Sequence, residues 1–250
     1  MTSNQKRVFY VNHLSHASYE AVMRTRPDVQ LDRIDHASTA EGAAAILSAA
    51  HAFQIGAARD ELATTYHVGP DLLRRTPHLL LVSSNGAGFD TVDVKACTEA
   101  GVLVVNQSGG NKQSVAEHVL GMMLALAKRI VETDKVMRRQ ANMNRNAYLG
   151  TETQGKTIGI VGLGNVGTRV AELCRGLFAM RVIAYDPYLS AEEMGRRGAE
   201  KVELDALMRA ADFVSINCPL DAGSRGMIGA QQFALMKPTA YFITTARGFI

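Results

Sequence analysis

KTIGIVGLGNVGTRVAELCRGLFAMRVIAYDPY, Lys156 to Tyr188, is the stretch on which the fold turns. It reads as strand, glycine turn, helix, strand, acid. TIGIV (157–161) is short, apolar and β-branched, the pattern of a strand buried in a parallel sheet. Gly162, Gly164 and Gly167 follow in GxGxxG spacing. GxGxxG alone is weak, because glycine is common, but here its context is complete. Gly162 permits the tight turn, Gly164 lets the backbone approach a diphosphate, and Gly167 lets the helix pack on the strand. The N–H groups of Asn165, Val166 and Gly167 then lie at the positive end of the helix, where an anion is favoured. RVIAY ends at Asp186, about 20 residues on, where a carboxylate can accept hydrogen bonds from an adenosine ribose. A negative charge there repels a 2′-phosphate, and neither Pro187 nor Tyr188 counters it. The motif therefore predicts NAD rather than NADP.

Working outward, short apolar runs alternate with helical patterns on both sides, which predicts α/β architecture with parallel sheets. RVFYV, VQLDRI, AFQIG, LLLVSS and VLVVN are strand candidates before residue 108; SYEAVMRT, TAEGAAAILSAA, GPDLLRRT and TVDVKACTEAG are the helices between them. One doubly wound unit over 1–108 is expected, and a second over 109–250. A long helix from about Ser114 to Arg139 is expected at the join, opened by a capping box in SVAE, Ser114 to Glu117. Its apolar residues, from Val115 to Val131, occupy more than one face, which fits burial between domains or subunits as well as a plain core helix. After Asp186, KVELDALMRAADFVSINCPL predicts a helix and a strand ending at Cys218 and Pro219. YFITTA predicts the next strand, running to Thr245, Ala246 and Arg247. Ligands of open α/β sheets sit beyond such carboxyl ends, so Arg247 is expected at the mouth of the nucleotide crevice.

Composition narrows the class. The chain has 250 residues, 47% apolar and 20% charged, enough to bury a sizeable core. No apolar run approaches the roughly 18 residues of a membrane span, and the N-terminus shows no signal-peptide core, so a cytoplasmic protein is expected. Net charge is +3 with the signs interspersed, giving no nucleic-acid footprint; MRRQANMNR (137–145) reads as a solvated helix end. Cys97, Cys174 and Cys218 are separate and form no CxxC pair, so neither a disulfide framework nor a metal site is expected.

Five motifs in order give a resemblance that covers nearly the whole chain: SSNGAGFDTVD (83–93), GGNKQSVAEHVLGMMLALAKRI (109–130), GKTIGIVGLGNVG (155–167), NCPLDAGSRGMIG (217–229) and MKPTAYFITTARG (236–248). Together they resemble the NAD-dependent D-isomer-specific 2-hydroxyacid dehydrogenases. The resemblance implies two doubly wound domains. The first is a flavodoxin-like substrate-binding domain over 1–108. The second is a Rossmann NAD-binding domain over 109–250, incomplete at its C-terminus and including the inter-domain helix. It implies hydride transfer between NAD and a small D-2-hydroxy or 2-oxo acid; a homodimer is expected from the multi-sided apolarity of the long helix. It implies that Asn85, Gly86 and Ala87 hold the substrate carboxylate; Ser84 is expected near it, and Lys112 is expected to be a solvated lysine rather than a second anion site. Arg247 is similar in position to the catalytic arginine that grips carboxylate and carbonyl oxygen, and Cys218, Pro219, Thr245 and Ala246 line the cofactor. A forked guanidinium suits that role, since negative charge builds on the oxygen as hydride arrives.

The sequence also departs from the family. Asn217 and Cys218 stand where histidine often precedes the proline, and Thr244 where asparagine is frequent. Relatives carry a proton-donating histidine and its glutamate after Arg247. On that basis the chain is expected to be part of a longer enzyme; were it the whole gene product, at most weak NAD binding and no turnover would be expected. Of its seven histidines only His118 lies near a matched motif, and a structural hydrogen bond is the expectation for it. His13, His16, His36, His51, His67 and His78 read as surface or helix-end residues. The alternative from another class is an NAD(H)-binding corepressor-like interaction protein.

Overall fold

The computed structural model describes residues 5–35 and 38–250; His36 lies outside them. The chain divides into two compact units, 1–111 and 112–250. In the first unit, β1 (Lys6–Val11), α1 (Ala17–Arg24), β2 (Val29–Ile34), α2 (Ala40–Ala49), β3 (Ala52–Ile55), α3 (Pro70–Arg75), β4 (Leu81–Ser84), α4 (Val94–Glu99) and β5 (Leu103–Val105) alternate as expected. All described strand pairs are parallel, in the order β2-β1-β3-β4-β5. That is the flavodoxin-like 2-1-3-4-5 arrangement. Phe9 and Phe53 stack at 4.1 Å between ring centres in its core, joined by Leu47, Ile55, Leu72 and Val82. Local signals fix the helix starts. Thr39 caps α2 by accepting from the Gly42 amide, Asp93 caps α4 by accepting from Ala96, and Pro70 opens α3.

The second unit contains α5 (Lys112–Ala127), α6 (Ile130–Met137), β6 (Thr157–Val161), α7 (Asn165–Phe178), β7 (Arg181–Tyr185), α8 (Ala191–Arg196), β8 (Glu200–Lys201), α9 (Leu204–Ala210), β9 (Phe213–Ile216), α10 (Ala230–Leu235) and β10 (Tyr241–Thr244). Its sheet is parallel, in the order β10-β9-β6-β7-β8. Counted from β6, this is the Rossmann order 3-2-1-4-5, in which the chain reverses direction between β6 and β9. The fold class read from the sequence is therefore the one observed. α5 and α7 pack on one face of the sheet, burying Val119, Met123, Val170 and Cys174 with Ile158 and Ile160. α9 covers the other with Leu207 and Met208.

The single helix expected over about 114–139 is corrected to two. α5 starts at Lys112, so Ser114 lies in its first turn rather than at a cap, and the expected capping box does not form. The break falls at Arg129, whose φ of 52° is left-handed. Tertiary contacts stabilise it: the Thr151 amide donates to the Ala127 carbonyl at 2.8 Å, diverting the acceptor that would continue the helix. Arg129 also reaches the Ala147 carbonyl at 2.7 Å and lies 5.2 Å from the Tyr148 ring centre. α5 buries one stripe, Ala116, Val119, Leu120, Met123 and Ala127, while Leu126, Ile130 and Val131 remain exposed in the chain. The strand expected to run to Cys218 and Pro219 ends at Ile216, and those residues open the loop beyond it. Two short helices, α8 and α10, and the two-residue β8 were not among the expected elements. Among the described residues no helix is long and apolar enough to cross a membrane.

Candidate active site

The glycine turn joins the carboxyl end of β6 to α7. Gly162 has φ 88°, and a Cβ there would fall 2.7 Å from the Cys218 amide nitrogen. Only glycine fits. Gly167 is closer packed still, since a Cβ would lie 2.1 Å from the Gly162 carbonyl oxygen. Gly164, the N-cap of α7, differs: a Cβ there meets nothing within 4 Å. The turn is thus tightly packed beneath and open above, as a cradle for a diphosphate must be. Asn165, Val166 and Gly167 form the first turn of α7, at the positive end of its dipole. The chain's own residues therefore fit the dinucleotide expected for this motif.

Asp186 follows β7 at the neighbouring strand end. Its Oδ2 accepts from the Leu163 amide at 3.0 Å and its Oδ1 from the Tyr188 amide at 3.0 Å. The carboxylate is thereby fixed to the glycine turn it is expected to serve. Cys218 lies across the reversal point, against Gly162. Burial first, then the charges of Asp221 and Asp186, push its thiol up to about 11. Asn217 donates through Nδ2 to the Ser215 hydroxyl at 3.0 Å, while its Oδ1 is buried without a hydrogen-bond partner, the one such side-chain atom among the described residues.

β10 delivers Thr245, Ala246 and Arg247 to the same end of the sheet, Ala246 packing with Cys218 against the cluster of Val161, Val214 and Ile216. The loop around Arg247 is stitched to the one after β9. The Gly226 amide donates to the Phe249 carbonyl at 2.9 Å, Ile228 to Ile250 at 2.9 Å, and the Arg225 guanidinium lies 5.7 Å from the Phe249 ring centre. The 219–228 turn is itself closed by Ser224, which donates to the Pro219 carbonyl at 2.6 Å, and by Asp221, which accepts from the Ser224 amide at 2.9 Å. The second unit thus brings the glycine turn, Asp186, Cys218, Pro219, Thr245, Ala246 and Arg247 to the carboxyl ends of one sheet.

The first unit holds the other expected group, Asn85, Gly86 and Ala87, just after β4. Asn85 Oδ1 accepts from the Ala57 amide at 3.2 Å, and Nδ2 donates to the Ser15 hydroxyl. The Gly86 carbonyl accepts from the Gln107 amide at 3.0 Å and the Ala87 carbonyl from Asn106 Nδ2 at 2.8 Å. A trans peptide points its C=O and N–H in opposite directions. With both carbonyls held by the segment after β5, the amides of Ala87 and Gly88 face the other way, the arrangement a carboxylate requires. Sequence reasoning missed Gly88, Asn106 and Gln107, which carry no motif of their own. Ser84 is buried and donates to the Gly88 carbonyl at 2.5 Å, whereas Lys112 is exposed on α5. His118 is exposed, as are His13, His16 and His78. Among the described residues no group of three or more His, Cys, Asp or Glu is arranged to hold a metal.

Fold and turn together define a Rossmann-type dinucleotide-binding protein. Residues 120–250, just over half of the chain, match the model of the D-isomer specific 2-hydroxyacid dehydrogenase NAD-binding domain, and the chain belongs to that family, whose cofactor is NAD. It is 36% identical over 183 residues to D-3-phosphoglycerate dehydrogenase of Archaeoglobus fulgidus, covering 73% of this chain and 34% of that protein. It is also 36% identical over 192 residues to glyoxylate reductase of Aeropyrum pernix, covering 74% and 57%. The chain spans about a third of the length of the D-3-phosphoglycerate dehydrogenase and 57% of the glyoxylate reductase. Among solved structures, D-lactate dehydrogenase from Aquifex aeolicus, complexed with NAD and lactic acid, superposes with a TM-score of 0.83 at 26% identity, covering 97% of this chain and 69% of that one.

Proposed function

We propose that the protein works as an NAD-dependent oxidoreductase on small D-2-hydroxy and 2-oxo acids. In this reading residues 1–108 bind the substrate, 109–250 bind the cofactor, and the cofactor, when bound, would accept hydride as NAD in oxidation and give it as NADH in reduction. The first-turn amides Asn165 to Gly167, with Gly162 and Gly164, hold the diphosphate. Asp186 accepts from the adenosine ribose and disfavours a 2′-phosphate, while Cys218, Pro219, Thr245 and Ala246 line the rest of the cofactor. Asn85, Gly86 and Ala87 bind the substrate carboxylate through backbone amides. Arg247 forks onto carboxylate and carbonyl oxygen and stabilises the negative charge that builds there during reduction. Lysine could not make that planar two-point contact. The new hydroxyl also needs a proton from a donor within hydrogen-bond reach. That role is not given to His118.

The observation that carries this reading is the glycine turn, packed beneath, open above and tied to Asp186, in a chain of this family. The test is a titration with NADH and NADPH, followed by titration of the NADH complex with glyoxylate, hydroxypyruvate, pyruvate and 3-phosphohydroxypyruvate. NADH should bind more tightly than NADPH, and at least one oxo acid should bind the complex. Arg247→Ala should weaken the oxo acid about 100-fold, as loss of a charged bidentate contact does, and leave NADH affinity unchanged. Equal affinity for NADH and NADPH, or oxo-acid binding indifferent to Arg247, would refute the assignment.

The same reading puts the protein in the cytoplasm, where its three thiols stay free. It also makes the protein a homodimer, through the exposed apolar residues of α5 and α6. The corepressor-like alternative gains nothing: the relatives named above are dehydrogenases and a reductase.

A further inference from the structure

Leu163 is held by three side chains through the two peptides that flank it. The Leu163 amide donates to Asp186, as described above. Its carbonyl accepts from Arg197 Nη1 at 2.8 Å and from the Thr168 hydroxyl at 3.1 Å. Thr168 is local, four residues into α7. Arg197 is not: it follows α8, 34 residues along the chain, and reaches back under the turn. Its other edge is fixed, with Nε donating to Glu193 Oε1 at 2.9 Å. Glu193 sits in the first turn of α8, where its amide donates to the Ser190 cap at 3.1 Å, and Arg196 pairs with its second oxygen at 2.8 Å. Arg197 and Glu193 are each about two-thirds covered. A charge-assisted contact covered to this degree is stronger than an exposed surface pair.

Planarity gives the contact its consequence. A trans peptide held by its carbonyl on one side presents its N–H on the other. The N–H in question belongs to Gly164, the residue above which the turn is open. The Leu163–Gly164 peptide turns about Leu163 ψ and Gly164 φ, and on the glycine side little steric restraint opposes its rotation. We infer that Arg197 is a positioning residue for the dinucleotide diphosphate, orienting the Gly164 amide through the Leu163 carbonyl while Glu193 holds the guanidinium in place. Arg197 touches no ligand in this role. The binding free energy it contributes is ordering of the cradle done before the ligand arrives.

The inference rests on the cofactor reading above, and the experiment separates the two. NADH, ADP-ribose and adenosine are titrated into the wild type, Arg197→Leu, Arg197→Lys and Glu193→Gln, with thermal unfolding of each recorded alongside. ADP-ribose carries the diphosphate without the nicotinamide, and adenosine carries neither. Arg197→Leu should weaken NADH and ADP-ribose by about tenfold, the loss of one charged hydrogen bond, and leave adenosine unchanged. Arg197→Lys, which can still donate to the carbonyl, should recover part of the loss. Glu193→Gln should give a smaller loss of the same selectivity with the fold intact. Failure of the wild type to bind NADH would overturn the cofactor reading and this inference with it. Wild-type binding with Arg197→Leu and Glu193→Gln both unchanged, or with adenosine weakened as much as ADP-ribose, would overturn the inference alone.

Discussion

Gly164 and Gly167 stand three residues apart in one motif, and replacing them should have different consequences. A Cβ at Gly167 meets the Gly162 carbonyl at 2.1 Å, a backbone atom that cannot move without opening the junction of β6 and α7. Gly167→Ala is expected to destabilise the second unit by about 2–4 kcal/mol and to lose NADH binding as a result. A Cβ at Gly164 meets no protein atom, so Gly164→Ala should unfold like the wild type yet bind NADH at least tenfold more weakly. Thermal unfolding and NADH titration of the two variants check the contrast. Cys218 gives a second prediction at this scale. The thiolate is the reactive form. With its thiol pushed up from 9.0 to about 11, Cys218 should be alkylated by iodoacetamide at pH 8 about a hundredfold more slowly than an unperturbed thiol, the rate climbing about tenfold per pH unit and levelling off only near pH 11. Mass spectrometry of the labelled protein reads the rate, and NADH should slow it further. The glycines, Asp186 and Arg247 were legible as residues because each has a motif spacing. Arg197 was not, since nothing in GRRGAE distinguishes an arginine that turns back to a loop 34 residues away from one in water.

Three strands of the second sheet, β6, β9 and β10, are tied at their amino ends by one residue. Asp212, just before β9, accepts from the Thr157 amide of β6 at 2.8 Å and from Lys237 at 2.9 Å, while its own carbonyl accepts from the Tyr241 amide of β10 at 3.0 Å. Burial works against its ionisation. The Thr157 hydrogen bond and then Lys237 outweigh burial, so the carboxyl titrates below its usual 3.8. A depressed carboxylate contributes stability above the unfolded pKa and loses it as pH falls through the folded one. Asp212→Ala should therefore cost about 1–3 kcal/mol at pH 7 in urea unfolding, and the difference from the wild type should shrink below pH 3.8. The strands were legible because each is a short apolar run between turn residues. The break between α5 and α6 was not, because LALAKRIVE has continuous helical periodicity and the Thr151 amide that ends α5 comes from a loop beyond it.

For the whole molecule, the apolarity of the α5–α6 region carries the remaining proposal. Ile130, Val131 and Met137 are 52%, 56% and 69% exposed in the chain, more than isolated surface residues of this size require. The proposed dimer buries them against a second copy. Sedimentation at micromolar concentration should show two chains associated, and Val131→Glu should leave single chains that still bind NADH; a wild type sedimenting as one chain would remove the proposal. Sequence alone determined that the chain is α/β, that it holds two parallel units, and that a glycine motif followed by an acid after the next strand lies in the second. These are matters of local periodicity and of glycine spacing, which a backbone must satisfy within a few residues. Only the tertiary structure decided where the helices break, which carbonyls are tied down, and hence which amides are left facing a ligand. Those outcomes depend on hydrogen bonds between groups 18 to 34 residues apart, which no local pattern encodes.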